Sequence, residues 1–84
     1  MLDKTMYNIL HRSVNAMKNI PDTIRAARIN AGMTQQELGE KLGYSTASAG
    51  PMIRQMESGK TPVPLVKIRA LAAALNLTLD DLIP

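Results

Sequence analysis

The sequence predicts an all-α protein: a compact cluster of four or five short helices with an additional N-terminal amphipathic helix in front. Three observations carry that prediction. Apolar residues recur at intervals of three and four along most of the chain, as one face of a helix requires. Helix starts and stops are marked by side-chain caps and by glycines at Gly32, Gly43 and Gly59. No stretch alternates polar and apolar residues as a half-buried strand would, and no repeat or low-complexity tract is present.

The elements follow in order. Met6, Ile9, Leu10, Val14 and Met17 fall at i, i+3, i+4, i+8 and i+11, one face of a helix that starts near Thr5 and must end before Pro21. Residues 1–20 are thus read as an N-terminal helical extension and residues 21–84 as the main domain. Pro21 suits the first turn of a second helix that carries Ile24, Ala27 and Arg28 and stops at Gly32. Thr34-Gln35-Gln36-Glu37 is a capping box. The Thr34 hydroxyl and the Glu37 carboxylate each satisfy a backbone N–H that the helix start leaves unpaired, and Leu38 and Leu42 follow on one face. Gly43 closes that helix. Small residues and a Gly-Pro pair then predict a loop from Tyr44 to about Gly50, followed by a short helix from about Pro51 to Ser58 ended by Gly59.

Pro62 and Pro64 cannot sit mid-helix and predict an extended connector. Leu65, Ile68, Leu71, Ala72 and Leu75 form the next apolar stripe, Asn76 suits a left-handed stop, and Thr78 to Leu82 reads as a last capped turn.

Eighty-four residues predict one small domain with a single core. With six Met and neither Phe nor Trp, that core is aliphatic. The absence of Cys excludes disulfides and thiolate chemistry. No apolar run has the length of a signal peptide or a membrane span, so a cytoplasmic protein without a membrane partner is expected. The net charge of +3 permits a polyanionic partner, but the excess is unevenly placed and forms no single basic run. His11, the one histidine, has no second ligand nearby, and no nucleophile stands with a base and an orienting group. The expectation is no metal, no cofactor and no enzyme.

The run "IRAARINAGMTQQELGEKLG", the later "MIRQMESGK" and the closing "LVKIRALAAALNLTLDDLI" together resemble the helix-turn-helix family of phage repressors and Cro proteins, the XRE-like family, over about residues 22–83. That resemblance implies a five-helix lambda-repressor-like domain. Its Gln35 to Leu42 helix would cross a DNA backbone while the helix ending at Ser58 enters the major groove. It also implies an ion pair between Arg28 and Glu57 that clamps the first helix to the recognition helix; two ordinary surface charges are the alternative. Aligned on Gly43 and Glu57, the chain has about four residues more than the family pattern, and they are expected in the turn.

Periodicity turns Ile53, Met56 and Glu57 of the recognition helix inward and Pro51, Arg54, Gln55 and Ser58 outward. The Gln55 amide suits a bidentate bond to adenine, and the resemblance places it at a base-contacting position. Gly50 permits close backbone approach, and the N–H groups of Met52 and Ile53 would be free for a phosphate. Ser45, Thr46 and Ser48 either touch DNA from the lengthened loop or only cap and turn it. Thr34, Gln35, Tyr44 and Lys60 are candidate backbone contacts, which set position and salt dependence without reading sequence. The function expected is a sequence-specific regulator of transcription on double-stranded DNA, a repressor working as a homodimer. The alternative is a protein-interaction module on the same fold, such as an antitoxin or accessory factor. The N-terminal stripe either packs on its own domain or joins the dimer seam.

Overall fold

The computed structural model describes residues 19–83. The expected N-terminal amphipathic helix lies outside the described residues. Within them the chain forms four α-helices and no strand: α1 Ile20–Asn30, α2 Gln35–Lys41, α3 Thr46–Glu57 and α4 Ile68–Leu75. A 3-10 turn, Leu65–Lys67, leads into α4, and a second, Leu79–Leu82, is the last capped turn that the spacing predicts, in place of the fifth helix that the resemblance implies. The all-α class is as expected.

Local chemistry accounts for most boundaries. The Asn19 side chain accepts from the Asp22 N–H at 3.2 Å, so α1 begins one residue before Pro21. Both halves of the capping box at α2 are made, Glu37 N–H to Thr34 Oγ1 and Thr34 N–H to Glu37 Oε1, each at 3.0 Å. Gly43 adopts φ +90°, a left-handed conformation that reverses the chain, and Tyr44 N–H returns to the Gly39 carbonyl at 3.1 Å. Asn76 takes the left-handed stop after α4 with φ +56°. The final turn is closed by a second capping box, between Thr78 and Asp81.

The expected loop from Tyr44 to Gly50 is not formed. The turn between α2 and α3 is short, and Ser45 caps α3 through its hydroxyl, which accepts from Ser48 N–H at 3.3 Å. The residues in excess of the family pattern therefore lengthen α3 at its N-terminal end by about one turn. Pro51 falls inside the helix instead of at its start. It brings no N–H for the Ala47 carbonyl, and its ring crowds that carbonyl.

Three contacts hold the added turn against that defect: the Ser45 cap, the buried Ala49, and the side chain of Gln36 described below. Ala49 sits directly against Gly39 of α2. A Cβ on Gly39 would lie 2.6 Å from Ala49 Cα, so the two backbones approach as closely as glycine allows.

The core is aliphatic, with Ile24 from α1, Leu38 and Leu42 from α2, Ile53 and Met56 from α3, and Leu71 and Leu75 from α4. Leu82 closes it from the last turn. In α3 the buried positions Ala49, Ile53 and Met56 fall at i, i+4 and i+7, so the whole twelve-residue helix presents one face to α2 and the core.

Gly39→Ala is expected to destabilise the domain by about 1–3 kcal/mol through overpacking, read as a lower urea midpoint. Adding Ala49→Gly should not restore it, because the atoms a Gly39 side chain would meet are Ala49 backbone. A Gly39→Ala midpoint equal to wild type would disprove the close approach.

Candidate nucleic-acid interface

The placement of α3 is set by one largely buried ion pair. Arg28 Nε donates to Glu57 Oε2 at 2.6 Å and its Nη2 donates to Glu57 Oε1 at 3.1 Å, a two-point pair between α1 and the end of α3. The remaining guanidinium nitrogen, Nη1, donates to the Met33 carbonyl at 2.9 Å. Glu57 Oε1 also accepts from Gln35 Nε2 at 3.2 Å. Only 13% of the Arg28 side chain and 5% of the Glu57 side chain remain exposed. The hydrogen bond to Glu57 is the main cause holding Arg28 above its ordinary pKa; burial opposes it and the Glu57 charge adds to it.

With its inner face fixed, α3 turns a stripe of exposed residues outward. Ala47, Pro51, Arg54, Gln55 and Ser58 fall at i, i+4, i+7, i+8 and i+11, and Thr46 and Ser48 are exposed at the start. A shallow groove runs among Pro51, Arg54, Gln55, Ser58 and Lys60. A second lies between α1 and the end of α3, lined by Arg25, Gln35, Arg54 and Ser58 above the ion pair. Arg54 borders both grooves. The Glu57 carboxylate is already engaged by Arg28, so Arg25, Arg54 and Lys60 supply the local positive field.

The structure redistributes several expected contacts. Gln35, expected to face a phosphate, is turned inward to Glu57. Thr34 serves the α2 cap with its hydroxyl. The N–H groups of Met52 and Ile53 lie inside α3; the amides that a helix start leaves without internal partners are those of Thr46 and Ala47. Gly50 is half-buried and faces Gln36. Tyr44 is half-buried against the core with the Lys67 ammonium 4.9 Å over its ring, and the same ammonium donates to the Leu42 carbonyl at 2.8 Å. Lys60 is exposed just beyond α3. Gln55 Oε1 accepts from Thr61 Oγ1 at 3.0 Å, which leaves the amide N–H2 group for a partner.

Two residues of this surface escape sequence reasoning. Arg25 stands three residues before Arg28, the helical spacing that puts both on neighbouring positions of α1, and that spacing was the available signal. Gln36 lies next to a residue of the expected site but gave no local signal of its own. Among the described residues no three His, Asp or Glu side chains gather as a metal site would need, and no helix is long and apolar enough to cross a membrane.

Two short helices joined by a tight turn, the second presenting a polar and basic stripe, define a helix-turn-helix DNA-binding domain. A family profile described as helix-turn-helix matches residues 24–82, and the chain belongs to that XRE-like family of DNA-binding regulators. No curated protein and no solved structure matches it.

Removing one partner of the ion pair strands the other in a largely buried site. Arg28→Ala should therefore cost about 3 kcal/mol and lower the thermal midpoint by more than about 10 °C. Replacing both residues by Met should cost less than Arg28→Ala alone, which a double-mutant cycle by calorimetry would show; a loss as large as the single variant's would disprove the stranded-charge account.

A pH test concerns α2. Hydrogen bonds from the Thr34 backbone and hydroxyl, with the nearby Lys41 charge, hold Glu37 below the ordinary carboxylate range. The stability it contributes is fully present above the unfolded-state pKa and is lost as pH falls through the lowered folded value. Glu37→Gln should flatten the acid limb of a stability-versus-pH curve, and an unchanged limb would show that Glu37 contributes nothing there.

Proposed function

We propose that the chain is a sequence-specific regulator of transcription on double-stranded DNA, a cytoplasmic repressor acting as a homodimer, with α3 in the major groove. The observation that carries this reading is the division of α3 into an anchored inner face and an exposed stripe bearing Arg54 and Gln55, with Arg25 and Lys60 at its margins. In this docking Arg54 and the Gln55 N–H2 group donate to acceptors on base edges such as guanine O6 and N7. Lys60, Arg25 and the Thr46 and Ala47 amides meet phosphates.

The elongated α3 carries its N-terminal end about 6 Å farther than four fewer residues would, and the N-terminal residues of a recognition helix are the ones that enter the groove. Thr46 and Ser48 then reach bases, which goes beyond the capping role that Ser45 performs. One helix per subunit covers a short half-site, so two-fold pairing that sets the α3 helices about 34 Å apart fits the reading. The partly exposed Leu79 and Ile83 of the last turn supply apolar surface for that pairing.

A second reading is favoured by an apolar groove lined by Ile20, Pro21, Met56, Val63, Ile68 and Ile83. A protein partner laid in it would make the chain an antitoxin or accessory factor on the same fold.

The deciding measurement is fluorescence anisotropy with a duplex selected from a random library and with random duplex, at two salt concentrations. Expected are tighter binding to the selected duplex, two chains per duplex at saturation, and affinity that falls steeply with salt. Gln55→Ala should weaken the selected duplex by about 1–3 kcal/mol and leave random duplex nearly unchanged. Lys60→Ala should weaken both and reduce the salt slope by about 1. Weak binding without a preferred sequence would favour the protein-partner reading.

A further inference from the structure

We propose that Gln36 is a positioning residue for DNA sequence recognition: its carboxamide fixes the added first turn of α3 and so decides which base pairs Thr46 and Ser48 can read. This rests on the reading of α3 as the major-groove helix.

Gln36 Nε2 donates to the Thr46 carbonyl at 2.7 Å, and Gln36 Oε1 accepts from Gly50 N–H at 3.2 Å. Thr46 and Gly50 are four residues apart, the pair of groups that one α-helical turn joins. A single side chain of α2 thus engages both ends of the first turn of α3.

Immediately beyond that turn, Pro51 brings no N–H to the Ala47 carbonyl, which weakens the connection between the first turn and the rest of the helix. The two parts of α3 accordingly have different anchors. Residues from Ile53 onward are held by the core and by the pair of Glu57 with Arg28. The first turn is held to α2, by Ala49 against Gly39 and by the two Gln36 hydrogen bonds.

The chemistry requires a carboxamide. A carboxylate could accept from Gly50 but would oppose the Thr46 carbonyl, and an apolar chain of similar size could do neither. Glycine at position 50 belongs to the same device, since a Cβ there would meet Gln36 Oε1 at 3.0 Å. Loss of Gln36 leaves the helix anchored at Glu57 and its first turn held to α2 by Ala49 against Gly39 without the two hydrogen bonds that fix its aim, so the effect falls on the base pairs under the first turn.

The test uses the full chain and variants Gln36→Met, Gln36→Glu and Gly50→Ala, each selected against a randomised duplex library and sequenced to give a preference at every base pair. Thr46→Ala and Ser48→Ala map the base pairs read by the first turn, and Gln55→Ala maps those read farther along. Gln36→Met and Gln36→Glu should lower discrimination at the first-turn positions by about fivefold or more, with the positions that depend on Gln55 unchanged. Gly50→Ala, which crowds the same carboxamide from the other side, should alter the same positions. In the free protein, hydrogen exchange at the Gly50 amide should quicken by about tenfold or more in Gln36→Met, while the Ile53 and Met56 amides stay within about twofold.

A wild-type chain that selects a site while the Gln36 variants keep its full profile would overturn the proposal. So would equal loss at every base pair, which marks a merely structural role, or a wild-type profile that Thr46→Ala and Ser48→Ala leave intact. A wild-type chain that selects no sequence would overturn the reading of α3 itself and the specificity role with it. Faster Gly50 exchange would then identify Gln36 as a brace of the fold alone.

Discussion

The Arg28 guanidinium is the constraint on which the domain's geometry depends. It spends its hydrogen bonds on two structural relations: the attachment of α1 to the end of α3 through Glu57, and the course of the chain at Met33 just before α2. Gln35, in the first turn of α2, reaches the same carboxylate. Three helices therefore meet at one charge pair, and the angle between the two helices of the motif is fixed at the end of α3 that lies away from its cap. A purely apolar junction could be as stable, since buried charges are costly to desolvate. What the pair adds is direction, because a planar fork facing a carboxylate satisfies both partners in one arrangement.

Much of the fold was legible because its signals are local. The capping box of Thr34 and Glu37, the stop at Asn76 and the turn capped by Thr78 each depend on residues within three or four positions of one another, and all three form as the spacing predicts. The inward set of α3 was legible for the same reason, since Ile53 and Met56 are three residues apart and both are buried. The start of α3 was not. A Gly-Pro pair after small polar residues has the local character of a loop leading into a helix, and Pro51 suits a first turn far better than a sixth position. What reverses that preference is tertiary: Ala49 seated on Gly39, and the Gln36 carboxamide on Thr46 and Gly50. Both partners lie ten or more residues upstream, beyond any local pattern.

The site was legible unevenly for a related reason. Arg54 and Gln55 could be placed outward by periodicity alone, and they are exposed. Gln35 could not be turned inward without knowing where Glu57 would stand, and that depends on the length of α3. The resemblance that pointed to Arg28 with Glu57 carried the long-range information that periodicity lacks. The added turn then shows how a surplus of about four residues can be absorbed: nearly a whole helical turn keeps the downstream residues on their former faces, whereas one or two would have rotated Ile53 and Met56 off the core.

The chain contains no Trp or Phe and two Tyr, of which Tyr44 is the one in the described domain. It sits at the turn of the motif under the Lys67 ammonium, whose other contact closes the end of α2 at Leu42. The aliphatic core is therefore optically silent in the near ultraviolet, and the domain's tyrosine absorbance and emission originate at the joint between the two helices of the motif. In a Tyr7→Phe background, spectroscopy of this protein would watch that joint directly, resolving its opening from the melting of the helices seen in the far ultraviolet.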